Sequence, residues 1–138
     1  MPFSAFRFGS SQAARRRCVR ELIDCWNART YDRLEAFVTD DVVIEDANGL
    51  QICGREALAE HMQKLYEHIG ENRIVIDTMD NHGERVLIRG HFECASEDMA
   101  GGVMWQMTFS QNKVSHIETT RSPGQMTLPK FAAAAANR

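Results

Sequence analysis

The sequence lacks the features of a zinc-binding, secreted or membrane protein. Its 4 cysteines, at positions 18, 25, 53 and 94, form no C-x-x-C pair, and its 5 histidines are scattered, so no metal site is expected. No apolar run approaches the roughly 18 residues of a membrane span. A secretory signal is also missing. We therefore expect a cytoplasmic protein with free, buried thiols, although four cysteines can also pair as two disulfides.

Acidic residues are absent from the first 20 positions, which hold the arginines at 7, 15, 16, 17 and 20. All 19 acidic residues follow this stretch, and the formal net charge of the chain is -3. Nucleic-acid binding needs Lys and Arg against phosphate, and here it would depend on Arg15–Arg17 alone. We expect no nucleic-acid partner and interpret these arginines as the solvated face of a first helix.

The length of 138 residues and the apolar share of 43% suit a single domain. Helical periodicity dominates its first half. Ser10 and Ser11 are candidate N-caps for a helix with one apolar face, formed by Val19, Leu22, Ile23 and Trp26. A short second helix is predicted over 31–38 and a third over 55–69. Between them, the β-branched segment 42–46 predicts a strand, and 47–49 predicts a turn.

The second half changes to the two-residue period of strands. Strands are predicted over 74–79, 85–94, 103–110 and 114–121, and Gly90 interrupts the second of them. Helices followed by antiparallel strands indicate an α+β protein whose three helices pack on one face of a curved sheet. We predict an N-terminal arm at 1–10, a domain at 11–122 and a tail at 123–138, because Pro123, Gly124 and Pro129 interrupt regular structure.

Three local matches accompany this order of elements: the DDVVIED segment at 40–46, the GREAL helix entry at 54–58, and the strand from Trp105 to Phe109. With them the chain resembles the SnoaL-like branch of the nuclear transport factor 2-like superfamily and, more distantly, ketosteroid isomerase. The resemblance implies a cone-shaped α+β barrel, a curved antiparallel sheet covered by three N-terminal helices, over about residues 11–122. It implies the fold rather than the activity, since the superfamily holds isomerases, dehydratases, cyclases, hydrolases and non-catalytic binders.

Asp46 is the candidate catalytic residue. In ketosteroid isomerase the general base ends the corresponding strand, and strand parity here places Asp46 with Val42 and Ile44, facing the apolar interior. A carboxylate that loses hydration becomes a better base near neutral pH. The alternative is that Asp46 caps the backbone amides of the 47–49 turn. Steroid isomerisation by the same mechanism is not expected, because Leu22 and Trp105 occupy the positions of the family's oxyanion donors.

An apolar pocket is predicted inside the cone, with Trp105 and Met107 serving either as ligand contacts or as core. Arg121 shares the inward parity and is expected at the mouth, where it pairs with Asp46, binds an anionic ligand or is solvated. The predicted pocket residues are Leu22, Trp26, Phe92, Trp105, Met107 and Arg121.

Two functional hypotheses follow from this pocket. The first is that the protein binds a small hydrophobic molecule and performs proton transfer of the isomerase, cyclase or dehydratase type with Asp46 and no cofactor. The second is a non-catalytic ligand-binding or dimeric assembly module. In either case the resemblance implies a homodimer formed through the outer face of the sheet, which includes Gln106, His116 and Glu118.

Overall fold

The computed structural model describes the backbone of residues 2–136 and the side chains from residue 12 onward. Residue 1 of the predicted arm and residues 137–138 of the predicted tail lie outside the described residues, and the remainder of the arm belongs to the first helix. The elements in chain order are α1 (Pro2–Ala28), a short 3-10 helix (Tyr31–Ala36), β1 (Val38–Asp46), β2 (Gln51–Cys53), α2 (Arg55–Ile69), β3 (Asn72–His82), β4 (Arg85–Cys94), β5 (Gly101–Ser110), β6 (Lys113–Thr120) and α3 (Leu128–Ala136).

The six strands form one curved sheet in the order β2-β1-β6-β5-β4-β3. The predicted α+β cone is confirmed, with one addition to its topology: β1 and β6 pair in parallel, whereas every other neighbouring pair is antiparallel. Bulges help to curve the strands. One bulge, between Ile76 and Thr78 in β3, brings the backbone of β3 against Gly90 of β4. A Cβ atom at Gly90 would overlap the carbonyl oxygen of Val75, so the glycine that interrupts the strand pattern is needed there.

The core lies between the concave face of the sheet and the helices. The predicted apolar face of α1 is buried from Val19 to Trp26, and the alternating residues of β5 are buried from Val103 to Phe109. Hydrophobic burial of this kind contributes about 1.5–3 kcal/mol for each large side chain. The periodicity therefore predicted correctly which side of each of these two elements faces inward.

The side chains of α1 also bond to the main chain of β3, the outermost strand on that side, and of the turn that follows it. The Asn27 amide donates to the carbonyl of Ile74 at 2.9 Å and accepts from the Ile74 amide at 2.7 Å. Arg16 donates to the carbonyl of Met79 at 3.0 Å, and Arg15 donates to the carbonyl of Gly83. Two of the arginines expected on a solvated face thus hold the helix against the sheet.

The C-terminal segment, which we define as residues 122–136, belongs to the fold. Its helix α3 packs on α2, β1 and β2, and it buries Pro129 and Ala132. Thr127 caps the helix, because its hydroxyl accepts from the amide of Lys130 at 3.1 Å. A proline in the first turn costs a helix nothing, so Pro129 helps to start the helix instead of interrupting it.

The four cysteines are free. Cys18 and Cys25 are buried as expected, but Cys94 is half-buried and Cys53 is exposed at the end of β2. Burial raises the pKa of the Cys18 thiol to about 11. In the part of the chain that the structure describes, no helix has the length and hydropathy needed to cross a membrane.

Candidate functional site

A narrow cavity of about 30 Å³ lies inside the cone, between the sheet, α1, α2 and the C-terminal segment. This volume holds roughly two water molecules, whereas pockets for small organic ligands measure about 300–1,000 Å³. Of the predicted pocket residues, four line this cavity: Trp26, Phe92, Trp105 and Arg121. Leu22 and Met107 are fully buried and are not among the lining residues, so in this structure they belong to the core.

Aromatic side chains form one wall of the cavity. The rings of Trp26 and Trp105 meet edge-on with centroids 5.8 Å apart, and Phe92 meets Trp105 in the same manner at 5.8 Å. The guanidinium of Arg121 lies over the Phe92 ring at 4.9 Å. Edge-to-face pairs of this kind contribute roughly 0.5–1.5 kcal/mol each beyond their buried area. The rings of Trp26, Trp105 and Phe92 thus pack against one another in series, and the guanidinium of Arg121 lies at the Phe92 end of this series.

Arg121 is positioned by main-chain carbonyls. Its guanidinium donates to the carbonyls of Met99 at 2.7 Å, Met126 at 2.8 Å, Gly102 at 3.1 Å and Gly101 at 3.2 Å. Burial lowers the pKa of this group. Arg121 reaches the cavity, as its parity predicted, and among the described residues it forms no ion pair with Asp46 or another carboxylate. The side chain ties the end of β6 to the loop before β5 and to the C-terminal segment.

Asp46 is buried at the end of β1, with 7% of its surface exposed. One carboxylate oxygen accepts from the amides of Asn48 at 2.9 Å and Leu50 at 3.1 Å, and the other accepts from the hydroxyl of Thr127 at 2.9 Å. The carboxylate thus closes the turn after β1 and also binds the C-terminal segment. Asp46 is not among the residues that line the cavity, but Thr127 is.

Two residues that line the cavity each have a buried polar atom without a hydrogen-bond partner among the described residues: the indole Nε1 of Trp26 and the hydroxyl of Thr119. Both residues are almost completely buried, at 3% and 5% exposure. An unpaired buried polar group costs roughly 1–3 kcal/mol, so such groups are rare unless a ligand or water pairs with them. Thr119 lies between Asp46 and Trp105 in one row across the sheet.

Sequence reasoning missed three polar groups at the cavity: Tyr66 from α2, Thr119 from β6 and Thr127 from the C-terminal segment. Burial raises the pKa of Tyr66 above its ordinary value. Thr119 shares the inward parity of Ile117 and Arg121 and was identifiable from that pattern. The position of Thr127 was not identifiable, because its contact with Asp46 spans 81 residues of sequence.

The outer face of the sheet carries His116, as predicted, and also His91. His116 lies 2.7 Å from a carboxylate oxygen of Glu45 and 3.8 Å from one of Glu118, and ligand atoms of these three residues lie within 4.8 Å of one another, close enough to hold a metal ion. His91 bonds to Asp77 at 2.9 Å, and this hydrogen bond raises its pKa. The spacing of these residues in the sequence gave no sign of either cluster.

The cone of curved sheet and helices around a central cavity defines the chain as a nuclear transport factor 2-like protein. The family described as SnoaL-like domain matches residues 19–121, and the chain belongs to that family. The predicted family is thus confirmed. Comparison of the sequence with curated proteins gives no match.

Solved structures share the fold at low sequence identity. A protein of Kribbella flavida assigned as a ketosteroid isomerase is 16% identical, with a TM-score of 0.71 over 83% of this chain and 82% of its own. An LEH-like epoxide hydrolase of M. tuberculosis is 14% identical, with a TM-score of 0.69 over 91% and 95%. A protein of Sinorhizobium meliloti assigned as a polyketide cyclase is 15% identical, with a TM-score of 0.67 over 74% and 92%. At these identities the similarity shows the fold alone.

Proposed function

We propose that the protein binds a small, mostly apolar molecule inside the cone and that an oxygen atom of this molecule accepts a hydrogen bond from the indole of Trp26. The unpaired indole N–H in a mostly apolar wall is the observation that supports this proposal. The hydroxyl of Thr119 provides a second unpaired group on the same cavity. A buried donor is satisfied only by a ligand that offers an acceptor, so an oxygen-bearing molecule is favoured over a hydrocarbon of the same shape.

The test uses two probes of similar shape, cyclohexanone and methylenecyclohexane, with the chemical shifts of the two indole N–H groups as readout. Cyclohexanone is expected to move the Trp26 resonance and to bind roughly tenfold more tightly, the value of one hydrogen bond of about 1.4 kcal/mol. The indole N–H resonance of Trp105 is the internal control for changes in chemical shift that do not come from a hydrogen bond to Trp26. In Trp26→Phe the two probes should bind equally. Equal binding to the unsubstituted protein, or no shift of the Trp26 resonance, would contradict the proposal.

Proton transfer by Asp46 is the second candidate function. It is supported by the burial of the carboxylate and by its hydrogen bond to Thr127, which lines the cavity. In this function the carboxylate takes a proton from a carbon atom of the ligand and returns it at another position. Enone, lactone and epoxide substrates should then be converted by the protein, and Asp46→Asn should lose turnover while it retains binding. Equal turnover by Asp46→Asn removes Asp46 from the mechanism, and binding without turnover in the parent protein favours a non-catalytic binder.

We also propose that the chain forms a homodimer through the outer face of its sheet. Polar and apolar side chains alternate with the buried ones along β5, and Met104, Gln106 and Thr108 are half-buried there next to His116 of β6. A mixed face of this kind suits a symmetric contact between two copies. Light scattering at micromolar concentration should give twice the mass of one chain, 15.7 kDa. Gln106→Glu, which adds a negative charge to this face, should lower that mass, and a monomeric parent protein would contradict the proposal.

A further inference from the structure

The cavity is too small for the ligand that its wall is suited to bind. With about 30 Å³ it has room for roughly two water molecules and none for a six-membered ring. Part of the wall must therefore move before an organic molecule enters. The sheet and the two long helices are held by many buried apolar contacts, and moving any of them breaks the core.

The C-terminal segment is the part of the wall that can move with the smallest loss, because Ala132 is its one described member of the core cluster, while Met126, Leu128 and Phe131 are only partly buried against it. It contributes Met126, Thr127 and Leu128 to the cavity, and none of its described residues belongs to a strand of the sheet. Four polar contacts hold its beginning in place, and one of them runs from the side-chain amide of Gln125 to the carbonyl of Ala100 at 2.7 Å. The carbonyl of Met126 accepts from Arg121 at 2.8 Å, the amide of Met126 donates to the carbonyl of Asp98 at 2.9 Å, and the hydroxyl of Thr127 donates to Asp46 at 2.9 Å.

The contact between Thr127 and Asp46 differs from the other three because both residues are only 7% exposed and the acceptor is a carboxylate. The same hydroxyl caps α3, so the bond joins the start of that helix to the end of β1. A hydrogen bond to a charged group changes an equilibrium by roughly one to two powers of ten. This single bond can therefore set how often the segment leaves the cavity.

We propose that the C-terminal segment is a lid over the cavity and that the Asp46–Thr127 hydrogen bond is its latch. Asp46 is then a positioning residue that acts through Thr127 and controls entry and release of the ligand. The proposal rests on the proposed binding function, since a lid has a role only if a ligand enters. In this role Asp46 holds the lid and is not a base. The two roles also differ for Thr127, because only the lid proposal predicts that loss of its hydroxyl opens the cavity.

The latch is testable without any ligand, because the sequence has 2 tryptophans and both line the cavity at 3% exposure. Acrylamide quenching of tryptophan fluorescence therefore measures opening of the cavity. Thr127→Val removes the latch, together with the cap of α3, at constant shape and should raise the quenching constant severalfold. Thr127→Ser keeps the hydroxyl and should match the parent protein. Asp46→Asn keeps one oxygen for the turn amides but removes the charge of the latch. It should raise the quenching constant by less than Thr127→Val does.

The control for general loss of stability is Ile117→Val, which shortens a fully buried core residue that takes no part in the latch hydrogen bond and should leave quenching unchanged. An equal rise in Ile117→Val and Thr127→Val would overturn the lid. Unchanged quenching in Thr127→Val would overturn it as well, and Asp46→Asn decides the question if Thr127→Val does not fold. Where quenching rises as expected but cyclohexanone leaves the Trp26 resonance unmoved, the lid stands and the proposed binding function fails. Where cyclohexanone binds, Thr127→Val should also raise its association and dissociation rates together.

Discussion

Replacing the unpaired hydroxyl of Thr119 by a methyl group should stabilise the protein. Thr119 is 5% exposed, and among the described residues its hydroxyl has no partner. The folded state thus carries a desolvation cost of roughly 1–3 kcal/mol that the unfolded state does not. Thr119→Val removes this cost at nearly constant volume, and valine suits a strand at least as well as threonine. We expect the free energy of unfolding to rise by about 1 kcal/mol.

Urea denaturation measures this change directly, and thermal unfolding should show an increase in Tm of about 3 °C for a domain of this size. The matched control is Thr127→Val, the same substitution at a hydroxyl that bonds to Asp46 and Lys130. It should lower the free energy of unfolding by roughly 1–3 kcal/mol, because it leaves a carboxylate oxygen without its donor. A loss of stability in Thr119→Val would refute the reasoning, since it would mean that a bound water already satisfies the hydroxyl.

Three further predictions concern other parts of the molecule. Gly90→Ala should destabilise the fold by more than about 2 kcal/mol in urea denaturation, because its Cβ would overlap the backbone of β3; a change near zero would contradict this. The hydrogen bond to Asp77 raises the pKa of His91, so the stabilisation that protonated His91 gives the folded state is complete below the ordinary pKa of about 6.5 and is lost as the pH rises through the raised value. His91→Gln should remove this pH dependence of the free energy of unfolding. An unchanged slope of that free energy against pH would count against the prediction. Cys53 should react first with a thiol reagent at neutral pH, whereas Cys18 should react only after unfolding; Cys53→Ser should abolish the rapid phase, and its persistence would show that another thiol is accessible.

The elements predicted from the sequence are those with long regular patterns. Helix α2 and strands β4 and β5 each keep a single spacing of apolar residues over ten or more positions. In these elements the side that the spacing predicts as apolar is also the side that tertiary packing buries. Strand β2 has three residues, too few to show alternation, and it was missed. The parallel pairing of β1 with β6 was not predictable either, because it joins segments about 70 residues apart.

The site was predictable in part for the same reason. Periodicity grouped Trp26, Phe92, Trp105 and Arg121 as pocket residues, and these four line one cavity, since each lies on a strongly periodic element or at its end. The partner of Asp46 could not be found, because it lies in a segment whose alanine run shows no amphipathic pattern. One local signal was present there: Thr127 followed by a proline two residues later is typical of the start of a helix.

The side-chain amide of Asn27 affects whether β3 can pair with a strand of another chain. By bonding to both backbone groups of Ile74, it occupies the positions through which a strand from another chain would join the sheet at β3. The first helix thereby interrupts, at Ile74, the free edge of β3 through which sheets of different chains can join.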